Sequence, residues 1–140
     1  MTMTTTKPQI LIIDDQMESV ALLLQYFQGQ NIDVMTALDG EDGLRKARVA
    51  NPDLILLDVF MPDKNGYAVC LELKKDAKTA HVPGIFLSAG TTLDSKLNGF
   101  AVGGADYISK PFSSEEVLAR VFVHVQFRRT RPVSDPDTPE

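Results

Sequence analysis

Cysteine is nearly absent. The single Cys70 in 140 residues excludes an internal disulfide and a cysteine-built zinc site. Its neighbours from Tyr67 to Leu73 read as a helix face, so a buried thiol is expected rather than a reactive one. Basic charge is scarce too. Fourteen Lys and Arg stand against 19 Asp and Glu, a formal net charge of −5, which leaves no basic footprint for nucleic acid. The one basic cluster, Arg128, Arg129 and Arg131, reads as a solvated helix end that complements the helix dipole. No apolar run is long enough to span a bilayer. Residues Met1–Pro8 are Thr-rich and lack the apolar centre of a secretory signal, so a cytoplasmic protein is expected. Histidine is limited to His81, read as a loop residue, and His124, read as a surface or packing residue of the last helix.

What is present suits one ordinary domain. Hydrophobic residues make up 44% of the chain, enough for a packed core. Five short apolar runs occur at Ile10–Ile13, Ile32–Ala37, Leu54–Leu57, Ile85–Leu87 and Tyr107–Ile108. They are continuous rather than alternating, as strands buried on both faces of a parallel sheet must be. Helical patterns separate them. The first covers Gln16–Gln28, with Met17, Val20, Ala21, Leu24 and Phe27 expected inward and Gly29 at the C-terminal cap. The others are Glu41–Ala50 with Leu44 and Ala47 inward, Tyr67–Lys75, Leu93–Ala101, and a fifth from Ser113 to about Arg129. Asn51-Pro52 stops the second and Gly103-Gly104 the fourth. Ser113 or Ser114 caps the fifth, whose Val117, Leu118, Val121 and Val125 face the sheet. Short strand–helix connections imply right-handed crossovers. Five such units predict an α/β fold, a doubly wound five-stranded parallel sheet of order 2-1-3-4-5.

In such sheets ligands sit beyond the carboxyl ends of the strands, at the switch point between strands 1 and 3. Strand 1 ends in Asp14-Asp15, strand 3 in Asp58, strand 4 in Ser88-Ala89, and strand 5 in Lys110-Pro111. Any one of these aspartates would read as a helix cap. Three at adjacent strand ends with Lys110 opposite read as a site. Three converging carboxylates repel, and at least one is expected to hold its proton more tightly. Two remedies exist: the Lys110 ammonium and a divalent cation. Oxygen-only ligands suit Mg²⁺, which commonly binds one or two carboxylates together with a phosphate. Lys110 and the Ser88 hydroxyl could stabilise an incoming phosphoryl group. A carboxylate can itself attack phosphorus and form an aspartyl phosphate.

These segments resemble the receiver domain of bacterial response regulators, in the manner of the chemotaxis receivers. The carrying stretches are ILIIDD at Ile10–Asp15, LILLDVFMPDKNG at Leu54–Gly66, FLSA at Phe86–Ala89 and GGADYISKPF at Gly103–Phe112. The resemblance covers about Gln9 to Arg129 and implies a flavodoxin-like (βα)5 fold. It implies that Asp58 accepts a phosphoryl group. It implies that Asp15 and Asp58 ligate Mg²⁺, with Asp14 acting mainly through water and the Phe60 carbonyl adding a ligand. Ser88 and Tyr107 match the switch pair, Lys110 the phosphate-binding lysine, and Lys110-Pro111 a peptide bond that is usually cis. The implied donor is the phosphohistidine of a sensor histidine kinase or a histidine phosphotransfer protein. No turnover of a free substrate is implied, so the chain is not expected to be an enzyme in that sense.

Two positions depart from common receiver choices. Phe60 is apolar where many receivers are polar, and Gly90 carries no side chain. Phe60 also argues against a Mg²⁺-dependent phosphatase with an Asp nucleophile, which commonly carries a second acid two residues on. Flavin binding is disfavoured because Asp14-Asp15-Gln16 would repel the flavin phosphate. A receiver that works by binding alone is disfavoured by the complete acceptor set. Residues 1–8 read as an N-terminal extension, 9–131 as the receiver, and 132–140 as a disordered tail or the start of a linker. Phe122, Val123 and Phe127 lie off the sheet-facing side of the last helix, so a homodimer through helices 4 and 5 is expected to be accessible. The output is either an unknown downstream protein or an output domain. No role in binding nucleic acid or a membrane is expected.

Overall fold

A computed structural model of the chain describes residues 7–89 and 92–130, without the side chains of residues 93, 94 and 127–130. The expectations for residues 1–6, for Gly90, for the side chains of Phe127, Arg128 and Arg129, and for residues 131–140 lie outside this range.

Five strands alternate with five helices: β1 (Gln9–Ile13), α1 (Met17–Phe27), β2 (Asp33–Ala37), α2 (Gly40–Ala50), β3 (Leu54–Asp58), α3 (Gly66–Lys75), β4 (Gly84–Ser88), α4 (Leu93–Ala101), β5 (Asp106–Ser109) and α5 (Ser114–Thr130). The strands form one parallel sheet of order β2-β1-β3-β4-β5. The expected doubly wound, flavodoxin-like α/β fold is therefore the one observed.

Strand alternation divides the core into two layers. Leu11, Ile13, Ile55, Leu57 and Phe86 point to the side covered by α2 and α3. Ile10, Ile12, Leu54, Leu56, Ile85 and Leu87 point to the side covered by α1 and α5. Both faces of β1, β3 and β4 are thus dry, which is why these strands read as unbroken apolar runs.

Local signals place the helix ends. Asp39, Asn65 and Thr92 accept from the backbone N–H groups of Asp42, Ala68 and Ser95. The Ser113 hydroxyl accepts from Glu116 N–H at 3.2 Å, which identifies the cap of α5. Asn51 ends α2 in the left-handed region at φ 51°, just before Pro52.

The inward face of α1 differs from expectation. Val20, Leu23 and Phe27 are buried, whereas Met17 is 62% and Leu24 42% exposed, and Ala21 is exposed as well. Leu22, Leu23 and Leu24 are consecutive, so periodicity alone leaves the seam open. Packing on Ile10 and Ile12 selects the stripe centred on Leu23. On α5 the expected seam holds: Val117, Val121 and Val125 are buried and Leu118 is partly so.

Gly84 stands at the start of β4 with a buried backbone, yet an added Cβ would meet no heavy atom within 4 Å. Glycine here costs chain entropy with no steric return. Gly84→Ala is expected to raise unfolding free energy by about 0.5–1 kcal/mol. Urea titration checks this, and an unchanged or lower midpoint would contradict it.

Candidate functional site

Four parallel strands deliver polar residues to one edge of the sheet. Asp14 and Asp15 follow β1, Asp58 closes β3, Ser88 closes β4, and Lys110 lies just past β5. The register sets their depth: Ile13 pairs with Leu57, and Asp58 pairs with Leu87, so the strands end nearly level. The loop after Asp58 folds back tightly. Gly66 N–H donates to the Val59 carbonyl at 2.9 Å, and a Cβ on Gly66 would stand 2.4 Å from the Asp58 carbonyl oxygen. Only glycine allows that approach.

Carboxylate oxygens of Asp14, Asp15 and Asp58 lie within 4.8 Å of one another. Asp14 is 0% and Asp58 2% exposed. Lys110 Nζ bridges them, 3.3 Å from Asp14 Oδ2 and 3.2 Å from Asp58 Oδ1. The Lys110–Pro111 peptide bond is cis, as the resemblance implied. Asp14 Oδ1 accepts from Gln16 N–H at 2.9 Å. Asp15 Oδ1 and Asp58 Oδ2 are buried and have no hydrogen-bond partner. Buried carboxylate oxygens without donors are costly. A hard cation satisfies both and offsets the repulsion, so the donor set fits Mg²⁺.

The electrostatics agree. Burial, and then the neighbouring Asp14, push the Asp58 carboxyl up to about 6, although Lys110 works in the opposite direction. This is the tighter proton retention expected for converging carboxylates.

The structure also places the other residues singled out in the sequence. Ser88 is fully buried and Tyr107 is 6% exposed, more enclosed than an ordinary edge-strand aromatic. Phe60, two residues past Asp58, is 62% exposed, so its ring is not packed into the core. His124 lies away from the strand ends and contacts Asp106 Oδ2 at 3.0 Å. Burial raises the Asp106 carboxyl, but hydrogen bonds from His124, Tyr107 N–H and Arg120 outweigh it and hold the group below its usual range.

Two participants escaped the sequence pattern. Gln16 Oε1 accepts from Lys110 Nζ at 3.0 Å, a partnership across 94 residues that no local motif marks. Tyr67 hydrogen-bonds the Tyr107 hydroxyl, and its place one residue after Gly66 reads as an ordinary first-turn aromatic. Neither contact has a sequence signal.

Comparison with known proteins identifies the family. A family profile described as "Response regulator receiver domain" matches residues 10–122. The chain belongs to that family. Among curated relatives of this receiver, the alkaline phosphatase synthesis transcriptional regulatory protein PhoP of Bacillus subtilis is 43% identical over 114 residues, covering 81% of the chain and 46% of PhoP. The DNA-binding dual master transcriptional regulator RpaA of Synechocystis is 41% identical, covering 81% of the chain and 47% of RpaA. The receiver thus spans about half the length of these relatives. Among solved structures, the receiver domain of Francisella response regulator 1452 superposes with a TM-score of 0.80 at 31% identity, covering 89% of the chain and all of that domain (100%). Among the described residues, no helix is long and apolar enough to cross a membrane.

The raised Asp58 carboxyl makes stability depend on pH. Its folded value of about 6 lies above the ordinary 3.8, so its favourable contribution is full below 3.8 and is lost as pH rises through about 6. Without divalent metal, Asp58→Asn is expected to be more stable than the parent at pH 7 by about 1–3 kcal/mol. The gap should close as pH falls through about 6 towards 3.8. Paired urea titrations test this, and a gap that stays constant over the window would exclude a raised carboxyl.

Proposed function

We propose that this receiver takes a phosphoryl group onto Asp58 from a phosphohistidine of a sensor histidine kinase or histidine phosphotransfer protein. The observation that carries the proposal is the pair of partnerless buried oxygens, Asp15 Oδ1 and Asp58 Oδ2, beside the Lys110 bridge. Such an arrangement is costly in itself and becomes favourable when positive charge and phosphoryl oxygens complete it.

In the transfer, a carboxylate oxygen of Asp58 forms the P–O bond as the P–N bond breaks, and the leaving imidazole keeps the bonding electron pair. Lys110, already 3.2 Å from Asp58 Oδ1, neutralises charge on the phosphoryl oxygens. The Ser88 hydroxyl donates to one of them. Asp15, Asp58 and the Phe60 carbonyl would hold Mg²⁺ directly, and Asp14 through water. Bound there, the ion supplies the charge that brings the acceptor carboxylate and phosphoryl oxygens together. The protein turns over no free substrate.

Incubation with acetyl phosphate and Mg²⁺ tests the assignment. Intact mass is expected to show one phosphoryl adduct on the parent and none on Asp58→Asn, with loss of labelling on chelation. No adduct on a parent that binds Mg²⁺ would leave a binding-only receiver. The exposed Phe60 side chain has no polar atom to orient an attacking water, so the parent adduct should outlast that of Phe60→Asn in the same spectra.

The output surface follows from the apolar side chains left open. Leu97 and Phe100 of α4 and Phe122 and Val123 of α5 are exposed. They support a phosphorylation-linked homodimer or a downstream protein docked at helices 4 and 5. Sedimentation with and without beryllofluoride should show mass rising with activation. A monomer in both states removes the dimer and leaves the docked protein.

A further inference from the structure

A chain of hydroxyl groups runs from the acceptor site to α4. The Ser88 hydroxyl hydrogen-bonds the Tyr107 hydroxyl. The Tyr107 hydroxyl hydrogen-bonds that of Tyr67. The Tyr67 hydroxyl reaches the Ser95 carbonyl oxygen at 3.0 Å. The four residues come from β4, β5, α3 and α4.

Proton counting gives this chain a direction. Each hydroxyl has a single proton to donate, and a carbonyl only accepts. Tyr67 therefore donates to Ser95. With that proton in use, Tyr107 must donate to Tyr67. With the Tyr107 proton in use, Ser88 must donate to Tyr107. Every proton points from the acceptor site towards α4. While the chain holds, the Ser88 proton is committed and cannot serve a phosphoryl oxygen.

Packing keeps the chain in register. The Phe86 ring lies 5.0 Å from that of Tyr67 and 5.5 Å from that of Tyr107, centroid to centroid. On the α4 side the Tyr107 ring lies against Gly99, where an added Cβ would stand 2.8 Å from Tyr107 Cε2. The rings have little room to separate, so hydroxyl rotation is the least costly response available.

We propose that Tyr67 is a positioning residue that couples the hydrogen-bonding state of Ser88 to helix α4. The proposal rests on the reading of Asp58 as phosphoryl acceptor. When Ser88 donates to a phosphoryl oxygen, Tyr107 rotates its proton to Ser88 and Tyr67 rotates its proton to Tyr107. The Ser95 carbonyl then loses its side-chain donor. No proton leaves the chain, and no covalent bond other than the one at Asp58 changes. The first turn of α4 loosens next to the exposed Leu97 and Phe100.

Tyr67→Phe keeps the ring and removes the link. Amide hydrogen exchange of α4 is measured for parent and variant, with and without beryllofluoride and Mg²⁺, while acetyl phosphate labelling of the same preparations is read by intact mass. In the parent, α4 exchange is expected to rise about fivefold on activation, the factor carried by one neutral hydrogen bond. In Tyr67→Phe, exchange starts at the raised level and responds by less than about twofold, with the adduct formed as in the parent. A full parent-like response in the variant overturns the relay, as does faster exchange spread through the whole core, which would mark a structural role only. No adduct on the parent rejects the acceptor reading itself and removes the relay's input. Tyr107→Phe cuts the chain one hydroxyl earlier and decides the question if Tyr67→Phe does not fold; a retained α4 response there equally overturns the relay.

Discussion

Asp14, Asp15 and Asp58 stand closer together than three carboxylates tolerate unaided, and Lys110 is the group that makes their proximity bearable. The backbone forces the crowding. Parallel strands β1 and β3 are neighbours in register, so residues just past Ile13 and Leu57 must meet at one edge. Low exposure then strengthens every charge interaction among them. Lys110 bridges two of the three, yet Asp15 Oδ1 and Asp58 Oδ2 remain without donors. The site is left incomplete in a way that suits a cation and is consistent with phosphorylation of an aspartate.

The two faces of the sheet divide the labour. The face packed by α1 and α5 is mostly aliphatic, with Phe27, Phe112 and the partly buried Tyr26 as its aromatics, and holds the strands in place. The other face carries Phe86 and Tyr107 within the core, with Tyr67 packed against it, and α4 approaches them at Gly99. Polar atoms are threaded through that second layer as one hydrogen-bonded line. A partly buried line of hydroxyls with single protons has two self-consistent orientations, which is the property a two-state element needs. The acidic site and helix α4 stand at its two ends.

Membership of the receiver family leaves the partners of this chain open, because the matched segment is only about half the length of the curated relatives. The acidic pocket constrains them chemically. Under the proposed acceptor chemistry, a donor brings a phosphoryl group on a good leaving group, and under the proposed relay the recipient reads a change in α4.

Much of this was legible in residue order. Continuous apolar runs announced a parallel sheet, since only strands covered on both faces dispense with alternation. Gly29, Asn51-Pro52, Gly103-Gly104 and Ser113 marked helix ends, because backbone groups there need local partners, whereas the Asp39 and Asn65 caps emerged only in the folded chain. Asp14, Asp15, Asp58, Ser88 and Lys110 were recognisable because each closes or just follows a strand, and strand ends converge by topology alone. Other features needed the assembled molecule. Which of Leu22, Leu23 and Leu24 faces inward depended on the packing of α1 against Ile10 and Ile12. The bond from Lys110 to Gln16 and the line from Ser88 through Tyr107 and Tyr67 to Ser95 join residues distant in sequence. Sequence by itself determined the elements, their order and the residues at the strand ends, because those follow from local periodicity and one-dimensional spacing. Tertiary structure alone decided which hydroxyl meets which and which oxygens are left without a donor, because hydrogen bonds depend on ångström-scale separations that only packing in three dimensions establishes.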